Sequence, residues 1–149
     1  MSADDVVNVL NQLIQVSMDG RKGFAEAAEY ATDAGLKSQF ILRSSECDQA
    51  ARDLQLAVQK FGREPKEAGS IAGAAHRGWI KVRAAVQDNN VAVLEEVERG
   101  EDHAKSVYAH ALNTRLPPEV KTLVERQYHG VLSNHDNVVR LRNRYRPGV

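Results

Sequence analysis

Glu46, Glu98, Glu101 and His135 combine the residue types and spacing that metal chemistry in a helical core would need. Carboxylate oxygens and an imidazole nitrogen together suit iron and other divalent transition metals. Glu98 and Glu101 stand three residues apart, which places them on one side of a helix. A di-iron carboxylate centre in a bundle core draws one Glu from each of two helices and a Glu-x-x-His pair from each of the other two. That pattern is incomplete here, because Glu46 is followed three places on by Gln49, and Glu125 by Tyr128. The four residues therefore describe a degenerate or mononuclear site, with no residue assigned to catalysis.

Other chemistry is signalled less strongly. Cys47 is the one cysteine, which excludes an intramolecular disulfide, fits a reducing compartment and reads as a small buried hydrophobe. His76 precedes Arg77-Gly78-Trp79 at a helix start, with no serine or cysteine in matching context, so packing or capping is its expected role. His103 and His110 fall on outer helix faces. Arg140, Arg142, Arg144 and Arg146 close the chain at a helix end, where cations complement the negative pole of the helix dipole. The sequence carries no Gly-rich phosphate loop, nucleophile elbow or zinc-spaced cluster.

Apolar periodicity supplies the elements that hold these residues. Val6, Leu10, Leu13, Ser17, Gly20, Phe24, Ala27 and Ala31 recur at steps of four and three, the stripe of a bundle helix over about residues 4 to 33. Ser2 or Asp4 can cap its start, and Asp33-Ala34-Gly35 reads as its end. Leu36, Phe40, Ser44, Cys47, Ala51, Leu54, Val58 and Phe61 form a second stripe, broken by Gly62-Arg63-Glu64-Pro65. The short connection makes these two helices antiparallel.

Ser70 can cap a shorter helix whose stripe is Ile71, Ala75, Gly78, Trp79, Val82 and Val86, and Asp88-Asn89-Asn90 stops it and caps the next. A helix from about Val91 to Asn113 comes next, with Leu94, Val97, Glu101, Ala104, Tyr108 and Ala111 on its seam, so a glutamate occupies a core position. Leu116-Pro117-Pro118-Glu119 begins the last helix, with Val120, Val124, Tyr128, Val131, His135, Val138 and Tyr145. Helix rise sets Gly20 beside Asp48, and Glu101 beside His129, each about fourteen residues from a turn. The unusual residues of four helices thus fall in one polar or small-residued layer, with apolar ends on either side.

Composition bounds the reading. The chain of 149 residues fits one domain, 1–149, and is 42% hydrophobic with only 5% aromatics, so its core is chiefly Val, Leu and Ala. Twenty basic and twenty acidic residues cancel, so no whole-molecule field draws it to nucleic acid or anionic lipid. The N-terminus is acidic where a signal peptide is basic, and no apolar run approaches the roughly 18 residues that span a bilayer. The expected location is cytoplasmic.

Several segments taken together resemble the domain-of-unknown-function family 2383, bacterial proteins with a ferritin-like four-helix bundle. They are Leu10-Asn11-Gln12-Leu13-Ile14 with Asp19-Gly20 and Gly23-Phe24, Gly69-Ser70-Ile71-Ala72-Gly73 with His76-Arg77-Gly78-Trp79, Glu95 to Asp102, and Leu116-Pro117-Pro118 with Glu125-Arg126-Gln127-Tyr128 and His135-Asp136. The resemblance covers nearly the whole chain. It implies an all-α, ferritin-like antiparallel four-helix bundle, with the short Trp79 helix as a crossover between the second and third bundle helices. The family's first helix tends to carry acids just after the glycine, where this chain has Arg21 and Lys22, whereas the glutamates near Glu101 and His135 match the pattern. The resemblance brings no established activity.

Two readings of function stand side by side. In the first, the protein is a non-enzymatic binding or stress-related bundle whose polar layer sets helix register, with no cofactor and a protein partner of unknown kind. In the second it is an iron-handling protein or di-iron-type oxidoreductase, with metal on Glu46, Glu98, Glu101 and His135. Gly20, Gly23, Gly73 and Gly78 permit close helix approach, so a homo-oligomer is a further expectation.

Overall fold

The computed structural model describes residues 1–69, 73, 74, 77 and 89–145. Ser2 opens the first helix, α1 (Ala3–Tyr30), with a capping box: its hydroxyl accepts the Asp5 N–H at 3.1 Å while the Asp5 carboxylate accepts the Ser2 N–H. Val6, Leu10, Leu13, Ser17, Phe24, Ala27 and Ala31 are buried as the stripe requires, together with Val7, Ile14 and Ala28 on its flank. The end of α1 differs from the expectation. The chain leaves the helix after Tyr30 with Ala31 extended, and Asp33 caps the next helix, α2 (Ala34–Lys60), by accepting the Leu36 N–H at 3.0 Å. Gly35 is therefore helical: an aspartate able to cap α2 outweighs a glycine able to stop α1. Among the described residues, the left-handed conformation falls to Gly62, φ 71°, just past α2.

The remaining helices are α3 (Asn89–Leu112) and α4 (Pro118–Tyr145). Asn90 was expected to cap its own helix. Instead its carboxamide oxygen reaches across to the α1–α2 turn, accepting the N–H groups of Thr32 at 3.0 Å and Asp33 at 3.4 Å and the Thr32 hydroxyl at 3.2 Å. The start of α3 is thereby fixed to the end of the bundle where α2 begins. At the opposite end, Arg63 pairs with Asp4 at 2.9 Å and the Lys66 N–H is accepted by Asn11 at 3.1 Å. Hence α2 and α3 run the same way, and the end of α2 and the start of α3 lie about 40 Å apart, one helix length.

The expected crossover helix around Trp79 lies outside the described residues. Three described residues of that connection meet α1 at one place. A Cβ at Gly69 or Gly73 would collide with Asp19, and Arg77 Nη1 stands 3.4 Å from the Asp19 carboxylate. At both positions the backbone lies against the acid's side chain, which would have to shift to admit a Cβ.

The core is in two parts. Leu10, Leu13, Leu54, Val58, Ala111 and Val124 belong to one cluster, and Phe24, Leu36, Phe40, Leu94, Val97 and Val138 to the other. Between them α1 and α2 come close at Gly20, where an added Cβ would lie 2.9 Å from the Cys47 sulfur. At Gly23, one turn on, an added Cβ meets nothing within 4 Å.

These two glycines predict opposite responses to one methyl group. Gly23→Ala should stabilise the protein by about 0.5–1 kcal/mol through helix propensity. Gly20→Ala should cost about 1–2 kcal/mol, the overpacking exceeding that gain, and should cease to cost anything in a Cys47→Ala background. Urea denaturation of the four variants checks the pattern.

Candidate functional site

The middle layer is built from one small polar residue on α1 and longer ones facing it. Ser17 is 5% exposed and its hydroxyl lies 3.3 Å from that of Tyr108 on α3. Tyr108 donates to the Gln127 carbonyl oxygen on α4 at 2.8 Å, and the Gln127 amide donates to the Ala50 carbonyl on α2 at 3.2 Å. With the Tyr108 proton committed to Gln127, Ser17 is the donor in the first link. All four helices are joined by this one relay. Burial pushes the Tyr108 hydroxyl up to about 12, so it remains a donor at neutral pH.

A second polar group faces it. Glu101 occupies the core position expected from periodicity and is 4% exposed. Its Oε1 lies 3.9 Å from Nε of Arg43 on α2, whose guanidinium stands 5.9 Å from the Phe24 ring centroid. Burial raises the Glu101 pKa above its ordinary value, while Arg43, Asn134 and His135 pull in the opposite direction. Burial disfavours the Arg43 charge, yet Cys47, Glu101 and Glu46 around it leave its pKa raised. Neither partner is fully satisfied: Arg43 Nε and Glu101 Oε2 are buried without a hydrogen-bond partner. Cys47 is buried as expected, and burial pushes its thiol up to about 12, so it is not a thiolate nucleophile at neutral pH.

These groups form the floor of a cavity of about 590 Å³ reached by all four helices. Val16, Phe24, Val97, Ala104 and Val131 supply apolar wall, Gly23, Gly100 and Gly130 leave room, and Glu46, His103 and Arg126 stand around it. A volume of this size matches ordinary small-molecule sites.

The four residues proposed from sequence for metal divide between two places. Glu98 and His135 come together, and with Asp102 their ligand atoms lie within 4.8 Å of one another in the cleft between α3 and α4. His135 Nε2 is 2.5 Å from Asp102 Oδ1, and Arg142 pairs with Glu98. Glu46 and Glu101 line the cavity instead. Asp102 could have been found from its i, i+4 spacing to Glu98. His129, expected beside Glu101, is exposed, as are His103 and His110, while His76 is outside the described residues. Of the small residues expected to invite self-association, Gly20 is spent on Cys47 and Gly73 on Asp19. Gly78 lies outside the described residues.

Arg43 lines the cavity although the apolar stripes carry no signal for it. It stands just before the Ser44 seam position, and only its length carries its charge inward. Glu96, with no exposed surface and 3.5 Å from Arg99, is a second buried acid outside the stripe. Arg21, which stands where the family's first helix tends to carry an acid, is engaged by Asp48 at 3.2 Å.

Two measurements test this layer. Tyr108→Phe should cost about 1–3 kcal/mol, because Ser17 and Gln127 each lose a partner in a buried setting. Glu101 has a raised pKa, so the folded state binds more protons than the unfolded chain as pH rises from 4.5, and wild-type stability should fall through that window. Glu101→Gln should lack this component, so the stability difference between the two proteins should shift toward the wild type as pH is lowered in denaturant titrations.

No curated protein matches the chain. A family model does match, over residues 5–114, which include the α1–α2 pair, Arg43, Cys47, Glu101 and Tyr108 but stop short of α4 and His135, so the match is narrower than the near-complete resemblance expected from sequence. With most of its length inside that match, the chain belongs to the family described as Domain of unknown function (DUF2383).

Proposed function

We propose that the protein is a non-enzymatic, ferritin-like bundle that binds a small molecule at mid-height. The observation that carries this reading is the 590 Å³ cavity between two apolar clusters, lined by the Tyr108 relay and by Arg43 and Glu101. A mostly apolar cavity of this size with a few polar side chains in its lining is what small-molecule sites have in common. The parallel run of α2 and α3, with one long return connection, supports the ferritin-like topology. Cys47 as a neutral thiol and the lack of a nucleophile and base pair in the described layer favour binding over covalent chemistry.

The second reading, metal binding, has its own observation in Glu98, Asp102 and His135. Arg142 on Glu98 opposes a dication there, and the Asp102 side chain is 60% exposed. A site so composed binds weakly.

The cavity reading predicts saturable uptake of the neutral fluorophore N-phenyl-1-naphthylamine at one site per chain, and loss of that uptake in Gly23→Trp, whose side chain enters the open space beside Gly23, with helix content unchanged by circular dichroism. Uptake that never saturates sinks it. Equilibrium dialysis against Fe²⁺ and Zn²⁺ separates the second reading: stoichiometric metal lost in both His135→Ala and Asp102→Asn would establish it, and its absence would remove it.

A further inference from the structure

We propose that the cavity is the inner half of a longer slot whose occupant is a straight-chain alkyl carboxylate, its tail among the valines and its carboxylate at Arg140. This rests on the cavity reading and names the chemistry of the occupant. A second hollow of about 390 Å³ lies between α2 and α4, and Phe24, Arg43, Glu46 and Gly130 line both spaces. The two therefore meet at one neck. Among the described residues, the polar bridges from α2 to α4 are Gln127 to the Ala50 carbonyl and Arg126 to Asp53 on one side of it, and Asn137 to Gln39 at 3.0 Å on the other. This register sets Glu46 level with Gly130, where an added Cβ would meet nothing within 4 Å, so no side chain on α4 closes the neck.

The linings of the two spaces select the two ends of the molecule. Val16, Phe24, Val97, Ala104 and Val131 wall the first, which suits a hydrocarbon tail. Phe40, Val138 and Leu141 carry apolar surface past the neck, where Gln39, Ser133 and Arg140 add exposed donors. From Gly130 to Arg140 the helix rises about 15 Å, so a molecule that reaches both ends is long. Arg140 pairs with no acid among the described residues, whereas its neighbours along α4 are engaged, Arg126 by Asp53 and Arg142 by Glu98. Glu46 is the one acid among the described residues of this second lining, and it is exposed. At about 15 Å along the helix axis it lies beyond the screening length of about 8 Å at physiological ionic strength, so it leaves the Arg140 charge unanswered. A carboxylate answers that charge and accepts from the guanidinium fork. An ammonium head is repelled there, and a hydroxyl leaves the charge as it is.

Displacement of N-phenyl-1-naphthylamine from the full chain at neutral pH by dodecanoate, dodecanol and dodecylamine, each kept below its micelle concentration, tests this. Dodecanoate should displace the fluorophore saturably and bind about threefold or more tightly than dodecylamine, the scale of an exposed charge contact. Asn137→Trp fills the second hollow and should weaken dodecanoate about tenfold or more, the scale of two or three methylenes returned to water, while uptake of the fluorophore by the first space persists. Arg140→Gln is a surface change that serves where Asn137→Trp fails to fold. It should weaken dodecanoate about threefold to fivefold and leave dodecanol unchanged. Dodecanoate binding that either folded variant leaves unaltered overturns this inference, as does dodecylamine binding as tightly as dodecanoate. Saturable fluorophore uptake that dodecanoate cannot displace also overturns it and leaves the cavity reading standing. If the fluorophore itself never saturates, the cavity reading fails and takes the inference with it.

Discussion

The relay from Ser17 through Tyr108 and Gln127 to the Ala50 carbonyl is the constraint on which the rest of the bundle depends. Apolar contacts between helices are tolerant of sliding, since one leucine fits nearly as well as the next against a Val and Ala surface. A buried hydrogen-bond chain is not, because each link lost leaves a polar group dry and unmatched. With one member on each of four helices, the relay admits a single axial register. The two apolar clusters then form above and below it, and the cavity opens beside it.

The Arg43 and Glu101 pair has a different character. A buried ion pair with open hydrogen-bonding atoms contributes little to stability, and well-packed apolar residues would serve the fold at least as well. The Phe24 ring beneath the guanidinium and Phe40 next to it, with ring centroids 6.0 Å apart, hold the arginine in place without satisfying its Nε.

Most of the fold was legible in the periodicity of the chain. Ser17 and Glu101 broke the apolar stripes at the right places, and both are buried where the stripes placed them. What failed were local signals with two competing uses. Asp33-Ala34-Gly35 contains both a helix stop and a helix start, and the capping geometry of Asp33 decided between them. Asn90 had a cap available on its own helix but found three donors across the bundle. The candidate site was only half legible for a related reason: helical spacing assigns a face to Cα and Cβ, whereas Arg43 reaches the core through a stem several bonds long. Heights along the helices brought Glu98 and His135 together but could not tell that Glu101 would turn toward Arg43 instead.

The parallel course of α2 and α3 carries a consequence for how the chain reaches its structure. The α1–α2 and α3–α4 hairpins are closed by contacts between near neighbours in sequence, the kind that form fastest. Ser17 and Tyr108 lie 91 positions apart and belong to different hairpins. Their link must wait for the long return segment to close and for the two halves to dock, an event that loop-closure entropy delays. Collapse of apolar faces thus precedes any check on register, and the polar layer acts at the last step as a proofreader: halves docked one turn out of place leave Tyr108 and Gln127 dry and must separate and dock again.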